Sequence, residues 1–278
     1  MAQYGGIAVM FASTPQPNKP SVPNSPLTST ASIVRRVDFT PDHFKLWLEP
    51  TEPFTFVPGQ FCTIGVDGIE RPYSIVSSPR EPLIELFIEL IWPPKGRLTP
   101  LLHKLRVGDT VTLRRRAKGK FVLNPEYRRH VMVATATGVA PFVSMLRYAL
   151  AAPRDNDAFY VLQGASYADE FGYDAELVAL AARHANARFV PTCSRPQEPR
   201  NAEWRGETGR VNTIVERYVR DWGLQPAETC LYACGNPQMI EDVQARYANT
   251  EFQVVSEGFW RSPQAGRHSR RTRGSDHH

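Results

Sequence analysis

The sequence has no apolar run approaching the roughly 20 residues that a membrane-spanning helix needs, so membrane insertion is not expected. Cysteine is scarce: Cys62, Cys193, Cys230 and Cys234 are scattered, and none falls in a CxxC pair or an iron–sulfur spacing. That excludes a cluster-binding domain of the usual kind, and reduced thiols in a cytoplasmic protein are the expectation. The opening stretch MAQYGGIAVMFASTPQPN has an apolar patch with no basic residue before it, a poor signal peptide. Helix-turn-helix, zinc-finger and aromatic–basic RNA motifs are all missing. A formal net charge of +5 therefore suggests an acidic partner rather than nucleic acid. The GxGxxG dinucleotide fingerprint is absent too.

What is present is an ordinary globular composition, 42% hydrophobic and 22% charged over 278 residues, enough for one large domain or two average ones. Residues 13–30 are rich in Pro, Ser and Thr and cannot bury enough surface to offset their ordering entropy. Residues 1–30 are accordingly expected to be a disordered leader. From 31 to 127 the pattern is β: SIVRRVDF, FKLWLE, FCTIGV, PYSIVS, LIELFIEL and DTVTLRR, punctuated by VPGQ and RVGD. Short strands at this spacing predict a closed antiparallel, Greek-key β-barrel, interrupted by one helix over LTPLLHKL at 98–105. From 128 to 260 apolar strands alternate with helical stretches, which predicts a Rossmann-like α/β domain with a parallel sheet covered on both faces. The expected helices are PFVSMLRYALAA, EFGYDAELVALAARH, TIVERYVRDW and PQMIEDVQARY. A basic tail, 261–278, closes the chain.

In such a domain ligands sit where strands end and helices begin, because free amides and the helix dipole attract phosphate there. The turn ATATGVAPF, 134–142, offers Gly138 for close backbone approach and hydroxyls at Thr135 and Thr137. By itself it is equally compatible with any glycine-containing strand-to-helix turn. YACGNPQM, 232–239, ends a strand on Cys234, turns at Gly235 and starts a helix at Pro237. A thiol there can touch a flat ring without crowding it, though a buried core cysteine is the commoner fate. In the barrel half, RPYS at 71–74 places Arg71 and Tyr73 on one face of a strand and Pro72 and Ser74 on the other. Arginine clamps phosphate, tyrosine covers a ring, and serine donates one hydrogen bond, although such a string also occurs as plain surface.

Taken in order, these segments resemble the ferredoxin–NADP reductase superfamily, from about Ser32 to Trp260. RPYS is similar to its FAD motif, which implies Arg71 on the pyrophosphate, Tyr73 on the isoalloxazine and Ser74 near N5. KGRLTPLL resembles the second flavin segment, implying that Gly96, Leu98 and Thr99 hold the pyrophosphate. TATGVAPF resembles the nicotinamide-nucleotide turn, implicating Thr137 and Gly138, and YACGNPQM the segment beside the nicotinamide, implicating Cys234 and Gly235. SEGFW resembles the C-terminal motif, with Glu257 acidic and Phe259 or Trp260 over the flavin. Ser194, Arg195 and Arg210 match the family's 2′-phosphate site, which implies NADPH over NADH. Ser74, Cys234 and Glu257 would line the hydride path. Ala136 departs from the pattern, since the family usually has glycine there.

The resemblance implies an FAD-dependent oxidoreductase that exchanges hydride with NADP(H) and single electrons with an acidic ferredoxin or flavodoxin. Arg35, Arg36, Arg114, Arg115, Arg116, Lys118 and Lys120 are candidates for the docking face. Two other readings stay open: the reductase component of a multi-component oxygenase, and a non-catalytic electron-transfer subunit with the same fold. No metal site is expected.

Overall fold

The computed structural model describes residues 27–258. Six strands build the first half: β1 (Thr28–Asp38), β2 (His43–Pro50), β3 (Phe61–Val66), β4 (Ile69–Ser74), β5 (Ile84–Glu89) and β6 (Thr110–Arg114). All pair antiparallel, in the order β4-β3-β6-β1-β2-β5. The two ends of this sheet nearly meet, because Val76 N–H, just beyond β4, donates to Glu85 O of β5 at 2.9 Å. Alternation drives the closure: Ala31, Ile33, Leu46, Leu48, Ile64, Leu86 and Leu113 point inward and are fully buried, filling the barrel with side chains. One short helix, α1 (Thr99–Lys104), crosses between β5 and β6. The first strand begins at Thr28, inside the stretch expected as leader, because Thr28–Ser32 pair with Arg114–Thr110 and bury Ser29 and Ala31.

In the second half β7 (Arg129–Thr135), β8 (Ala158–Ala165), β9 (Ala187–Cys193), β10 (Glu207–Thr208), β11 (Thr229–Cys234) and β12 (Gln253–Glu257) form one parallel sheet, ordered β10-β9-β8-β7-β11-β12. Its strands are apolar on both faces, as a sheet covered by helices requires. Met132, Ala134, Tyr232 and Cys234 pack with α2 (Ala140–Ala151) and α3 (Asp174–Arg183). The alternate residues Val131, Val133, Leu231 and Ala233 pack with α4 (Val211–Asp221) and α5 (Pro237–Tyr247). Helix α3 starts at Asp174, four residues later than the sequence suggests. Gly172 adopts φ +72° and turns the chain where the phenyl ring of Phe87 leaves no room for a Cβ. The two-residue strand β10 and the strand β12, which ends on the Ser256–Glu257 start of the SEGFW segment, are the elements that periodicity did not reveal.

The halves are joined by buried polar contacts. Arg147 on α2 donates to Glu85 on β5 at 2.6 Å and to both carboxylate oxygens of Glu176 on α3 at 2.7 and 2.8 Å. Tyr173 Oη donates to the other Glu85 oxygen at 2.7 Å, and Ser144 Oγ donates to Ser77 O at 2.7 Å. Lys45 Nζ donates to Gly172 O and lies 3.6 Å from the centroid of the Tyr173 ring. Val76, Phe87 and Phe121 of the barrel half extend the α2–α3 core across the junction. This junction holds the barrel's β4–β5 side against the carboxyl ends of the parallel strands.

Candidate active site

A cleft of about 1090 Å³ opens along that junction. Arg71, Tyr73, Ser74, Gly96, Leu98 and Thr99 line its barrel wall, and Thr137, Gly138, Ser194, Arg195, Arg210, Cys234 and Gly235 line the opposite wall. Residues far apart in sequence thus meet at the point where the parallel sheet's connections diverge, β7 leading to β8 on one side while β11 lies on the other. Glu257 is not among the lining residues; it stands next to Cys234, its register partner across β11 and β12. Phe259 and Trp260 lie outside the described residues.

On the barrel wall, β4 carries Tyr73 half-buried against the barrel core and Arg71 exposed above the cleft. Ser74 is 9% exposed, and its Oγ is buried without a hydrogen-bond partner. An orphaned hydroxyl in a buried position costs about 1–3 kcal/mol unless something else bonds it. Thr99 lines the cleft at the start of α1 and also bonds within its own turn. Its Oγ1 donates to Ile91 O at 2.9 Å and accepts from Ile91 N–H at 3.0 Å. Both bonds fix the turn 91–99. Gly96 is required in this turn because a Cβ would collide with Ile91 O. The flanking Lys95 and Arg97 also line the cleft and add positive charge beside Arg71, a signal legible in KGR that motif matching passed over.

On the α/β wall two turns interlock. A Cβ on Gly138 would strike Cys234 O, and one on Gly235, at φ +130°, would strike Thr135 Oγ1. The Thr135 hydroxyl accepts from Asn236 N–H at 2.7 Å, so it ties the turns together. Asn236 caps α5, its Oδ1 accepting from Gln238 N–H at 2.9 Å and leaving the helix start in the cleft. Ala136 sits at φ +44°, in the left-handed region that an L-residue occupies at a cost of about 1–2 kcal/mol. Its carbonyl is held by Gln163 Nε2 at 3.2 Å.

Cys234 is 1% exposed, and burial, reinforced by the nearby Glu257, pushes its thiol far above the usual range. It is a neutral, compact group at neutral pH and not a nucleophile. Burial likewise raises the Glu257 carboxyl to about 7, and its Oε2 has no partner. Such a group exchanges a proton near physiological pH.

The arginine site is less symmetrical than the sequence suggests. Arg210 precedes α4 with no acidic partner among the described residues. Arg195, by contrast, donates to Tyr167 Oη at 3.1 Å and pairs with Glu198 at 3.4 Å. The loops bearing these groups are pinned by Asn201, which is 2% exposed and which sequence reasoning missed. Its Nδ2 donates to Ser166 O and Arg195 O at 2.9 and 2.8 Å, and its Oδ1 accepts from Ala168 N–H.

The expected docking cations also divide. Arg36, its side chain 7% exposed, donates to Asp38, Leu102 O and Leu105 O and is part of the barrel. Arg114 pairs with Glu70, Arg115 pairs with Glu52, and Arg35 lies over Trp47. Arg116, Lys118 and Lys120 have no acidic partner among the described residues, and their loop passes Glu257 at Gly119. Among the described residues there is no helix long and apolar enough to cross a membrane and no cluster of metal-binding side chains.

Residues 132–245 match the family model of an oxidoreductase NAD-binding domain. The flavodoxin/ferredoxin–NADP reductase of Shigella flexneri is 31% identical over 229 residues, spanning 77% of this chain and 88% of that protein. This chain belongs to the ferredoxin–NADP reductase family. Among solved structures, a ferredoxin–NADP reductase from Neisseria gonorrhoeae with bound FAD and NADP superposes with a TM-score of 0.73 at 26% identity, covering 84% of this chain and 99% of that one. The family also reaches oxygenase reductases: DmpP, the reductase component of phenol 2-monooxygenase from Pseudomonas sp. (strain CF600), is 30% identical over 211 residues, 74% of this chain but 57% of that protein. The chain is thus an oxidoreductase of the family fold, and its barrel and parallel sheet are the expected two halves.

Proposed function

We propose that the cleft binds FAD along its barrel wall and NADPH along its α/β wall, and that the protein passes electrons singly to an acidic ferredoxin or flavodoxin. The observation that carries this reading is the Ser74 hydroxyl, buried without a partner in the same cleft as Tyr73 and Cys234. The residues present fit the cofactor. Arg71, Lys95 and Arg97 supply charge for a pyrophosphate, and Gly96 lets backbone approach it. Tyr73 offers an aromatic face, and Ser74 donates to a ring nitrogen. Bound there, FAD supplies the conversion of a two-electron hydride into single electrons.

The chain's own residues orient the partners of that reaction. The interlocked turns at Gly138 and Gly235 set how deeply a nicotinamide nucleotide reaches. The thiol of Cys234 fills the space beside the ring without repelling it, and Glu257 holds or releases a proton behind it. Arg210 and Arg195 favour a 2′-phosphate; two charge-assisted hydrogen bonds, discounted for exposure, amount to roughly a hundredfold preference. Arg116, Lys118 and Lys120, beside the Glu257 end of the site, form the docking face for an acidic carrier, and a cytoplasmic location suits the four buried, unpaired cysteines.

The test is a visible spectrum of the purified protein followed by anaerobic mixing with NADPH and NADH. A yellow protein bleached far faster by NADPH supports the reading, and a protein unable to take up FAD overturns it. Charge reversal at Arg116 and Lys118 should slow ferredoxin reduction while sparing ferricyanide; equal loss of both refutes the docking face. The likeness to DmpP favours a second acceptor class, and reduction of an oxygenase in preference to ferredoxin would establish it.

A further inference from the structure

The arginine site contains an anion of its own. Tyr167 Oη donates to Glu198 Oε2 at 2.6 Å, and Arg195 Nη1 reaches Tyr167 Oη at 3.1 Å and Glu198 Oε1 at 3.4 Å. The guanidinium of Arg200 covers the Tyr167 ring at 4.1 Å and is itself tied to Asp169 at 2.7 Å. Glu198 therefore engages the same Arg195 cation that would meet a 2′-phosphate, bringing two acceptor oxygens and a negative charge. The position is set by the backbone: Glu198 N–H donates to Arg195 O at 3.2 Å, and Asn201 N–H donates to Glu198 O at 2.8 Å. Asn201, in turn, anchors the loop from the buried side.

We infer that Glu198 is a specificity-determining residue, an internal competitor that occupies Arg195 and must yield it when a 2′-phosphate binds. The inference rests on the NADPH reading of the cleft. A phosphate arriving at Arg195 either displaces the Glu198 carboxylate or stays close to it, and in both cases the negative charge opposes binding. A nucleotide without the 2′-phosphate meets no such opposition. Glu198 thus lowers the preference for NADPH over NADH below what Arg195 and Arg210 alone would produce. The side chains of Arg195 and Glu198 are 54% and 46% exposed, so solvent screens the effect to about fivefold in affinity.

Glu198→Gln removes the charge, keeps an acceptor for Tyr167, and leaves the backbone bonds of the loop in place. Calorimetric titration of the FAD-loaded protein with adenosine 2′,5′-bisphosphate and with 5′-AMP separates the possibilities. The expected result is a roughly fivefold tightening for the bisphosphate, no change for 5′-AMP, and a parallel fall in KM for NADPH with KM for NADH unmoved. If the native protein prefers the bisphosphate but Glu198→Gln binds it no better, the competitor role is wrong and the arginine site stands. Should the native protein not distinguish the two nucleotides at all, the arginine site fails and the inference fails with it. Equal gains for both nucleotides would also overturn it, since a general loosening of the loop moves both.

Discussion

Ala136→Gly tests whether the strand-to-helix turn carries strain at the centre of the site. Ala136 sits at φ +44° between β7 and α2, and the Gln163 amide holds its carbonyl at 3.2 Å. The left-handed conformation costs an L-residue about 1–2 kcal/mol, whereas glycine adopts it freely. Glycine's greater freedom in the unfolded chain offsets about 0.4–1 kcal/mol of that gain. The net expectation is a stabilisation of roughly 0.5–1 kcal/mol, which for a protein of this size raises Tm by about 1–4 °C. Ala136→Val should move Tm the other way, because a β-branched residue is disfavoured still more at positive φ. Ala136 also lines the cleft, so the glycine variant should bind NADPH more tightly as backbone approach widens. Thermal melts of the three proteins, with nucleotide titrations alongside, provide the assay. A lower Tm for the glycine variant would show that the turn is not strained and would refute the reasoning.

Other perturbations follow from the same geometry. Ser74→Ala should raise the stability of FAD-free protein by about 1 kcal/mol, by removing a buried unpartnered hydroxyl, and lower that of FAD-loaded protein by a similar amount; melts with and without FAD that shift in the same direction would contradict the placement. Burial raises the Glu257 carboxyl from 4.5 to about 7, so between these values the folded protein keeps a proton that the unfolded chain releases. Native stability should therefore fall as pH rises from about 4.5 to 7, by on the order of 2 kcal/mol, and Glu257→Gln should abolish that slope. Denaturant unfolding at several pH values checks this, and parallel profiles for the two proteins would count against it. Arg147→Met leaves Glu85, 3% exposed, without its cation and should cost about 3–5 kcal/mol, with partial recovery in the double variant carrying Glu85→Gln. Urea unfolding showing a loss below 1 kcal/mol would mean that the junction does not depend on this network.

The order of the two halves was legible in the sequence, because periodicity two and strand–helix alternation are local properties that the chain writes out residue by residue. The turns of the cleft were legible for a similar reason. RPYS, TATGVAPF and YACGNP pair a particular residue type with a particular strand or helix end, while KGRL was legible only through the family resemblance that the segments carry together. Three features escaped, one of them the two-residue strand β10. The strand β12 is held by its pairing to β11 over Cys230–Cys234, a partner that no window around Gln253 contains. The start of α3 was displaced by the collision that awaits any side chain at Gly172 against Phe87, a residue of the other half.

Whether a side chain is free to act was decided only by the tertiary structure. The resemblance implies Thr99 near a ligand, and only the folded chain shows that its hydroxyl also bonds Ile91, eight residues away in the chain. A run of arginines suggests a docking face, yet Arg36, Arg114 and Arg115 are committed to Asp38, Glu70 and Glu52. Arg195 shares itself with Glu198 and Tyr167, while Arg210 has no acidic partner among the described residues. Conversely, the unpartnered hydroxyl of Ser74 and the raised carboxyl of Glu257 exist only because packing withdraws water from them. Residue identity and local pattern are encoded along the chain, so they fix which elements form and which groups are on offer. Hydrogen-bond saturation, burial and proton affinity depend on neighbours brought together from distant segments, and those properties come into being when the barrel and the parallel sheet close on each other.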